Sequence, residues 1–251
     1  MKLLVTGLKG TLAPKLAHAA HQQGVEVLAW DRHQIDPSDS VAAQAWLAEQ
    51  RPDAIAHLAM GPSDWAAVLA AYAAQQQLPM LFTSTAMVFD HQPDGPHRPQ
   101  DTRTAKDDYG RYKIACEDAI AAANPSATIA RIGWQIDATA PGNNMVMALD
   151  DWQRREGKVA ASSAWRPACS FMEDTAAALL ALLLAPVAGV VHLDSNADEG
   201  HSFDALVRAL REHLGRSEWQ VSVHADYRHD QRLVGGEGRV PGLSTRLPAL
   251  A

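Results

Sequence analysis

Tyr109 and Lys113 stand four residues apart in a segment whose apolar spacing predicts a helix over 104–123. This spacing places both side chains on one face of the helix, within reach of each other or of a shared ligand. A phenol with its ordinary pKa of about 10 exchanges protons slowly at neutral pH, and a neighbouring ammonium lowers that pKa because it stabilises the phenolate. The pair is therefore typical of a site that moves a proton to or from a substrate oxygen.

A glycine-rich turn, GLKGTLA, begins at Gly7 between a short apolar segment and a predicted helix over 11–23. Gly7 permits a tight turn, Gly10 lets a pyrophosphate approach the backbone, and Ala13 is small enough for the helix to pack closely on the strand. The helix N-terminus adds free N–H groups and a partial positive charge. The pattern indicates a turn that binds the phosphates of a dinucleotide.

Asp31 and Arg32 follow the second predicted strand, over 25–30, and bear on the choice of dinucleotide. An acidic residue about 20 residues after the glycines accepts hydrogen bonds from the adenosine ribose and favours NAD. Arg32 can instead neutralise a 2′-phosphate and favour NADP. Because the two side chains favour different cofactors, the sequence leaves NAD and NADP both open.

A small hydroxyl group completes the chemistry of the Tyr–Lys pair. The fourth predicted strand ends in Thr83-Ser84-Thr85, and open parallel sheets place their chemistry at the carboxyl ends of strands. A hydroxyl there can hold a carbonyl oxygen in line while Tyr109 protonates it and a nicotinamide supplies the hydride. Lys113 can also hold the nicotinamide ribose. These groups predict reduction of a ketone, or oxidation of the matching alcohol.

The elements that would position these groups alternate between short apolar strands and helices. Predicted strands lie at 2–6, 25–30, 54–58, 80–84 and 127–132, and later elements are helices at 145–155, 173–184 and 203–214 and a strand at 190–193. The alternation predicts the α/β class, with a Rossmann-type doubly wound parallel sheet. No linker interrupts the chain, so we expect a single domain over 1–251. Its small C-terminal substrate-binding portion would come mainly from 134–175 and 195–251.

Composition and charge limit the partners. The 251 residues carry a formal net charge of −7, whereas nucleic-acid and anionic-membrane surfaces need clustered Lys and Arg. The longest apolar stretch, 176–191, is too short to span a membrane and contains Pro186 and Gly189. The N-terminal apolar run is too short for a signal peptide. We therefore expect a cytoplasmic protein with a small-molecule substrate, no nucleic-acid partner and no membrane partner.

Four stretches resemble the extended short-chain dehydrogenase/reductases, and most closely the dTDP-4-dehydrorhamnose reductase family. They are GLKGTLA, DRHQID, TSTAMVFD and YGRYKIACE; RIGW at 131–134 and RPACSFMEDTA at 166–176 resemble later landmarks of the family. The likeness covers roughly residues 1–180. It implies an NAD(P)-dependent reductase or dehydrogenase acting on a carbonyl or alcohol, a sugar nucleotide being one such substrate.

The resemblance also assigns residues. It implies Thr85, Tyr109 and Lys113 as the catalytic trio, with Ser84 as the alternative hydroxyl. The residues that it places along the dinucleotide are Gly10, Thr11, Leu12, Asp31 and the turn formed by Ala59 and Met60. The segments that would line a substrate cleft carry Trp134 and Trp165, which could stack on a sugar, and Arg166, which could bind a phosphate or carboxylate.

Two other functions stay open, because Ala86 and Met87 stand where the family commonly has Asp and Tyr. A tightly held NAD could oxidise and re-reduce one substrate, as in an epimerase or dehydratase. The chain could also be a non-catalytic, dinucleotide-binding regulatory subunit. Helices over 63–77 and 104–123 could form a homodimer interface. His18 and His21 lack a third ligand of suitable spacing, so no metal site is predicted.

Overall fold

Twelve strands occur in the computed structural model, which describes residues 1–236 and 238–251. In chain order they are β1 (Lys2–Thr6), β2 (Glu26–Ala29), β3 (Ala54–His57), β4 (Met80–Thr85), β5 (Thr128–Ile132), β6 (Trp134–Ile136), β7 (Val159–Ser162), β8 (Trp165–Arg166), β9 (Cys169–Phe171), β10 (Gly189–Leu193), β11 (Val221–His224) and β12 (His229–Asp230). Six of them form the central sheet in the order β10-β5-β4-β3-β1-β2, and every neighbouring pair is parallel. The predicted fold class is confirmed.

Seven α-helices and three short 3₁₀ helices connect the strands within the described ranges. The helices are α1 (Ala13–Gln22), α2 (Ser40–Gln50), α3 (Ser63–Gln76), α4 (Asp108–Ala123), α5 (Met145–Glu156), α6 (Met172–Leu184) and α7 (Phe203–His213), and the 3₁₀ turns are Ala86–Phe89, Leu243–Thr245 and Pro248–Leu250. In the part of the chain that the structure describes, no helix combines the length and apolar character needed to cross a bilayer.

Helices cover both faces of the central sheet. Successive residues of a strand point to opposite faces, and here the residues on both faces are apolar and must be buried. Leu3 and Val5 of β1 belong to an apolar cluster that includes residues of α1 and α6. Leu4, between them, belongs to a second cluster with residues of α2, α3 and α4. The side chains of Leu3, Leu4 and Val5 are all fully buried. The sheet is thus doubly wound.

The residues after β5 build a third apolar cluster around Phe203 and Trp219. It includes residues of α5 and α7 and of three short parallel pairs, β6–β9, β7–β11 and β8–β12, in this portion. β6 begins two residues after the end of β5, so this portion of the chain starts at the carboxyl edge of the central sheet.

Helix α4 begins four residues later than the sequence predicts. Thr104 and Ala105 instead donate backbone hydrogen bonds to the Val88 carbonyl, at 2.8 and 3.0 Å. The helix then starts behind Asp107, whose side chain accepts a hydrogen bond from the Gly110 N–H at 2.8 Å. This cap fixes the first turn of α4, which carries Tyr109.

Candidate active site

Lys113 is buried against the carboxyl end of β4, with 4% of its surface exposed. Its ammonium donates a hydrogen bond to the Thr83 carbonyl at 2.8 Å and lies 4.7 Å from the centre of the Phe82 ring. Burial lowers the pKa of Lys113 to about 8, against the opposing effects of Cys116 and Glu117. The Lys113 ammonium therefore loses its proton at a pH closer to neutral than an ordinary lysine does.

Tyr109 lies one helical turn before Lys113, and the ammonium is 5.9 Å from the centre of its ring. The residue is 43% exposed, so a ligand can reach it. Burial raises the pKa of the phenol, a side-chain hydrogen bond with Thr85 lowers it, and Asp107 raises it further. The expected lowering by Lys113 is not found, because burial has the largest effect and the pKa of Tyr109 is raised.

The structure separates the two candidate hydroxyls at the end of β4. The Ser84 hydroxyl is buried and donates to the Glu117 carboxylate at 2.5 Å. Thr85 instead lies beside Tyr109, with which it shares a side-chain hydrogen bond, and its hydroxyl accepts the local Met87 N–H at 3.2 Å. The geometry thus favours Thr85 as the group that orients a substrate oxygen.

A cavity of about 540 Å³ opens beside Tyr109 and Thr85. Both predicted tryptophans contribute to it, and Trp134 and Trp165 are stacked with ring centres 6.3 Å apart. The remaining lining comes from Ala86, Met87, Asp90, Ile132, Gly133, Gln135, Asn143, Pro167, Ala168, Tyr227 and Gln231. Four of the predicted catalytic and substrate residues thus meet at one cavity.

Arg166 does not join them. Its side chain is exposed and donates to the Gly200 carbonyl at 3.1 Å, so it braces a loop outside the cavity. Strand alternation explains this position, because neighbours in β8 face opposite ways and Trp165 takes the inward place.

The glycine turn at Gly7 has the tight backbone geometry that the sequence predicts. Gly7 has a φ of +87°, and a β-carbon there would lie 3.1 Å from the Ala59 nitrogen. The Gly10 N–H donates to the Gly7 carbonyl at 2.7 Å and closes the turn. Helix α1 follows with Leu12 at its N-cap, no side-chain cap and no acidic residue in its first turn. Such an N-terminus suits a phosphate.

The predicted dinucleotide residues lie at the carboxyl ends of three adjacent strands, β2, β1 and β3. Arg32 donates to the Met60 carbonyl, and its guanidinium lies 5.5 Å from the centre of the Trp65 ring. Asp31 accepts the His33 N–H at 3.0 Å. Thr11 lies across from Gly142, where an added β-carbon would be 2.8 Å from the threonine hydroxyl. These residues fit the phosphates and adenosine ribose of a dinucleotide.

Tyr112, which does not share the four-residue spacing of Tyr109 and Lys113, has a structural role. Its hydroxyl accepts the Gly61 N–H at 3.0 Å and so ties the turn after β3 to α4. Burial raises the pKa of Tyr112 well above its ordinary value, and the phenol therefore stays neutral. The helix that carries Tyr109 and Lys113 is thereby fixed relative to the dinucleotide turn.

Glu117 is a buried residue that sequence reasoning missed. It is 2% exposed and binds the Arg131 guanidinium at 2.7 and 2.9 Å. Burial raises the pKa of Glu117, but the hydrogen bonds from Arg131 and Ser84 outweigh burial, and the net pKa is lowered. Its place one helical turn after Lys113 was the available signal, since a charged residue on the inward face of a helix needs a partner.

We expect Gly7→Ala to lower the free energy of unfolding by about 1–3 kcal/mol, the usual cost of a non-glycine residue in strained backbone. NADPH affinity should fall more than tenfold, because the turn must shift away from Ala59. Urea unfolding and a fluorescence titration with NADPH measure the two effects.

Gly24→Ala is the matched control, because Gly24 also has a positive φ, +70°, but an added β-carbon there meets nothing within 4 Å. It should lose some stability and keep wild-type NADPH affinity. Equal loss of NADPH affinity in both variants would show that the glycine turn does not bind the cofactor.

Comparisons with known proteins place the chain in a family. The family model described as the RmlD substrate binding domain matches residues 1–61 and 63–220. A dTDP-4-dehydrorhamnose reductase of Mycobacterium tuberculosis is 28% identical over 242 residues, covering 88% of this chain and 78% of the relative. The match is spread over the chain rather than confined to the glycine turn.

Solved structures agree in fold. A dTDP-4-dehydrorhamnose reductase of Clostridium acetobutylicum superposes with a TM-score of 0.81 at 19% identity, covering 98% of this chain and 97% of that one. The Bacillus anthracis enzyme, in complex with NADP, gives 0.79 at 16%, covering 99% and 96%. Bordetella bronchiseptica WbmH, in complex with NAD⁺, gives 0.77 at 18%, with the same coverage. Both cofactors that the sequence left open thus occur among structures of this fold.

The family model spans most of the chain, and the resemblance stated from the sequence is confirmed. This chain belongs to the RmlD substrate binding domain family, and the proteins that it resembles include dTDP-4-dehydrorhamnose reductases.

Proposed function

We propose that the protein is an NAD- or NADP-dependent oxidoreductase of the short-chain dehydrogenase/reductase type, which interconverts a ring ketone and its alcohol. The observation that carries this proposal is the convergence of Tyr109 and Thr85 at one cavity, above the buried Lys113. The names of the relatives add support and make a sugar nucleotide the first substrate class to consider.

Each side chain has a distinct task in the reduction. The Thr85 hydroxyl donates a hydrogen bond to the ketone oxygen and aligns it with the phenol. Tyr109 gives its proton to that oxygen as negative charge develops there. Lys113 stabilises the phenolate that remains, since its ammonium lies beside the Tyr109 ring. When bound, the nicotinamide cofactor supplies the hydride, and in the oxidation it accepts it.

The second portion of the chain would bind the substrate. We propose that 134–175 and 195–251 supply most of this portion within a single domain over 1–251. The lining of the cavity supports this division, because Trp134, Trp165, Tyr227 and Gln231 all come from these segments. Glu237, which belongs to the second segment, lies outside the described residues.

The proposal is tested by following NADPH and NADH oxidation with a panel of ring ketones that includes dTDP-4-dehydrorhamnose. We expect stoichiometric oxidation of one reduced cofactor with at least one ketone. Retention of NAD after purification with no net turnover of added NADH would favour the epimerase or dehydratase alternative. Tight dinucleotide binding with no chemistry on any substrate would favour the regulatory subunit.

We expect kcat/KM for ketone reduction to fall as pH rises through about 8. The pKa of Lys113 is lowered to about 8, so its ammonium loses the proton there, while the raised pKa of Tyr109 keeps the phenol protonated to higher pH. Lys113→Arg should retain part of the activity and move the falling limb to higher pH, because arginine stays protonated. A limb at the same pH in both proteins would contradict the role given to Lys113.

A further inference from the structure

The residues that line the substrate cavity differ in charge from what a nucleoside diphosphate needs. Among the described residues, the lining includes no Lys or Arg, and its one formally charged side chain is Asp90. A diphosphate is bound by guanidinium or ammonium groups, or by an uncapped helix N-terminus. A carboxylate at this position repels it instead.

Four arginines stand next to lining residues in the chain, and the side chain of each contacts a group outside the lining of the cavity. Arg131 binds Glu117 at 2.7 Å, and Arg166 binds the Gly200 carbonyl at 3.1 Å. Arg228 pairs with Asp94 at 3.0 Å, and Arg232 pairs with Asp230 at 2.8 Å. Arg131 and Arg232 are therefore engaged in largely buried ion pairs. Arg166 and Arg228 are exposed and do not line the cavity.

The polar groups at the cavity suit hydroxyls. The Trp165 indole N–H donates to the Gln231 carbonyl oxygen at 2.7 Å, which leaves both amide protons of Gln231 for a ligand. Gln135 is 8% exposed, and its carbonyl oxygen is a buried acceptor with no partner among the described residues. Asp90 adds a charged acceptor. A ligand with several hydroxyl groups would satisfy these donors and acceptors together.

The aromatic side chains suit a compact ring. Trp134 and Trp165 are stacked within 28° of parallel, and Tyr227 meets Trp165 edge-on with ring centres 5.4 Å apart. Such surfaces bury the apolar C–H face of a sugar-like ring while polar groups fix its orientation. The volume of about 540 Å³ falls in the lower half of the range typical of small-molecule sites, which is about 300–1,000 Å³.

We propose that the substrate of this site is an uncharged, hydroxylated ring ketone, or the matching alcohol, that carries no nucleoside diphosphate. This inference rests on the proposed function and narrows its substrate class. The proposed redox groups meet at this cavity, whereas no Lys or Arg among the described residues lines it.

The first test measures binding apart from turnover. Thymidine 5′-diphosphate is titrated into the protein saturated with NADP⁺, and the tryptophan fluorescence is followed to millimolar concentration. We expect no saturable change, because the lining offers the diphosphate no counter-charge. Saturable binding of thymidine 5′-diphosphate in the micromolar range overturns the inference whatever the activity of the protein.

The second test compares turnover of NADPH with 1,5-anhydro-D-fructose and scyllo-inosose, two uncharged hydroxylated ring ketones, and with dTDP-4-dehydrorhamnose. We expect kcat/KM for at least one uncharged ketone to exceed that for the nucleotide ketone at least tenfold. The reverse order overturns the inference and leaves the proposed function intact. If no ketone oxidises either NADPH or NADH, the proposed function fails, and the titration with thymidine 5′-diphosphate still decides whether the site accepts the nucleotide.

A pair of variants tests the role of Asp90. Asp90→Asn should raise KM for the uncharged ketone about tenfold with kcat little changed, since one hydrogen bond to a charged acceptor weakens. Asp94→Asn is the matched control, because Asp94 pairs with the exposed Arg228 and does not line the cavity. An unchanged KM for the uncharged ketone in Asp90→Asn, or an equal rise in KM in Asp94→Asn, would contradict the contact proposed for Asp90.

Discussion

Replacing Tyr109 with Phe should lower kcat for ketone reduction by about 10²–10⁴-fold, the usual contribution of a positioned proton donor. The change removes one oxygen from a side chain that is 43% exposed, so the fold and the packing of α4 should be preserved. NADPH affinity should stay within about threefold of wild type, because the Gly7 turn and Lys113 remain. Steady-state kinetics and a fluorescence titration with NADPH separate these effects.

Tyr72→Phe is the control for this variant. The Tyr72 hydroxyl donates to the Leu47 carbonyl at 2.9 Å, where it joins α3 to α2 away from the cavity. Its loss should cost some stability and leave kcat unchanged. If Tyr109→Phe keeps more than a tenth of the wild-type kcat, the phenol is not the proton donor.

Replacing Glu117 with Gln should lower the free energy of unfolding by about 3–5 kcal/mol, because it leaves a buried guanidinium without its counter-charge. Arg131 and Glu117 are each 2% exposed, and the carboxylate also accepts from Ser84 and from Arg103, the latter at 3.2 Å. Urea unfolding at pH 7 measures the loss.

Asp108→Asn is the matched control on the same helix. Asp108 pairs with Arg111 at 3.0 Å on the surface, where an ion pair contributes little. Its removal should change the free energy of unfolding by less than about 0.5 kcal/mol. A loss below about 1 kcal/mol in Glu117→Gln would mean that the buried pair does not secure β5 to α4.

The pH dependence of stability provides a further check on Glu117. The folded-state pKa of this carboxylate is lowered, so the stability that it contributes is present above its unfolded pKa and is lost as pH falls through the folded value. Stability of the wild type should therefore fall more steeply on acidification than that of Glu117→Gln.

Much of the central sheet could be predicted because its strands are short apolar runs bounded by Gly, Pro and Asp. The turn at Gly7 was also predictable, since only glycine tolerates its positive φ so close to Ala59. The strands of the second portion were not. β6 to β9 have two to four residues each, and runs so short carry no periodicity to recognise.

The arrangement of individual side chains was the least predictable part of the site. The family resemblance named Thr85 with Ser84 as the alternative, but the physical difference between the two hydroxyls was not visible in the sequence. It comes from Glu117, which lies 33 residues away from Ser84 and accepts a hydrogen bond from its hydroxyl. Trp165 and Arg166 were both expected to line the substrate cleft, but neighbouring residues of a strand face opposite ways, and only Trp165 lines the cavity. The cavity residues Asp90, Gln135 and Gln231 have no sequence signal, because tertiary packing alone brings them together.

A crystal structure with NADP⁺ tests the central claim most directly. We predict that the phosphates lie on the Gly7–Leu12 turn and that the nicotinamide ring faces the hydroxyls of Tyr109 and Thr85, with its ribose at the Lys113 ammonium. A cofactor whose nicotinamide ring lies away from Tyr109, or whose phosphates avoid the glycine turn, would contradict the proposed oxidoreductase.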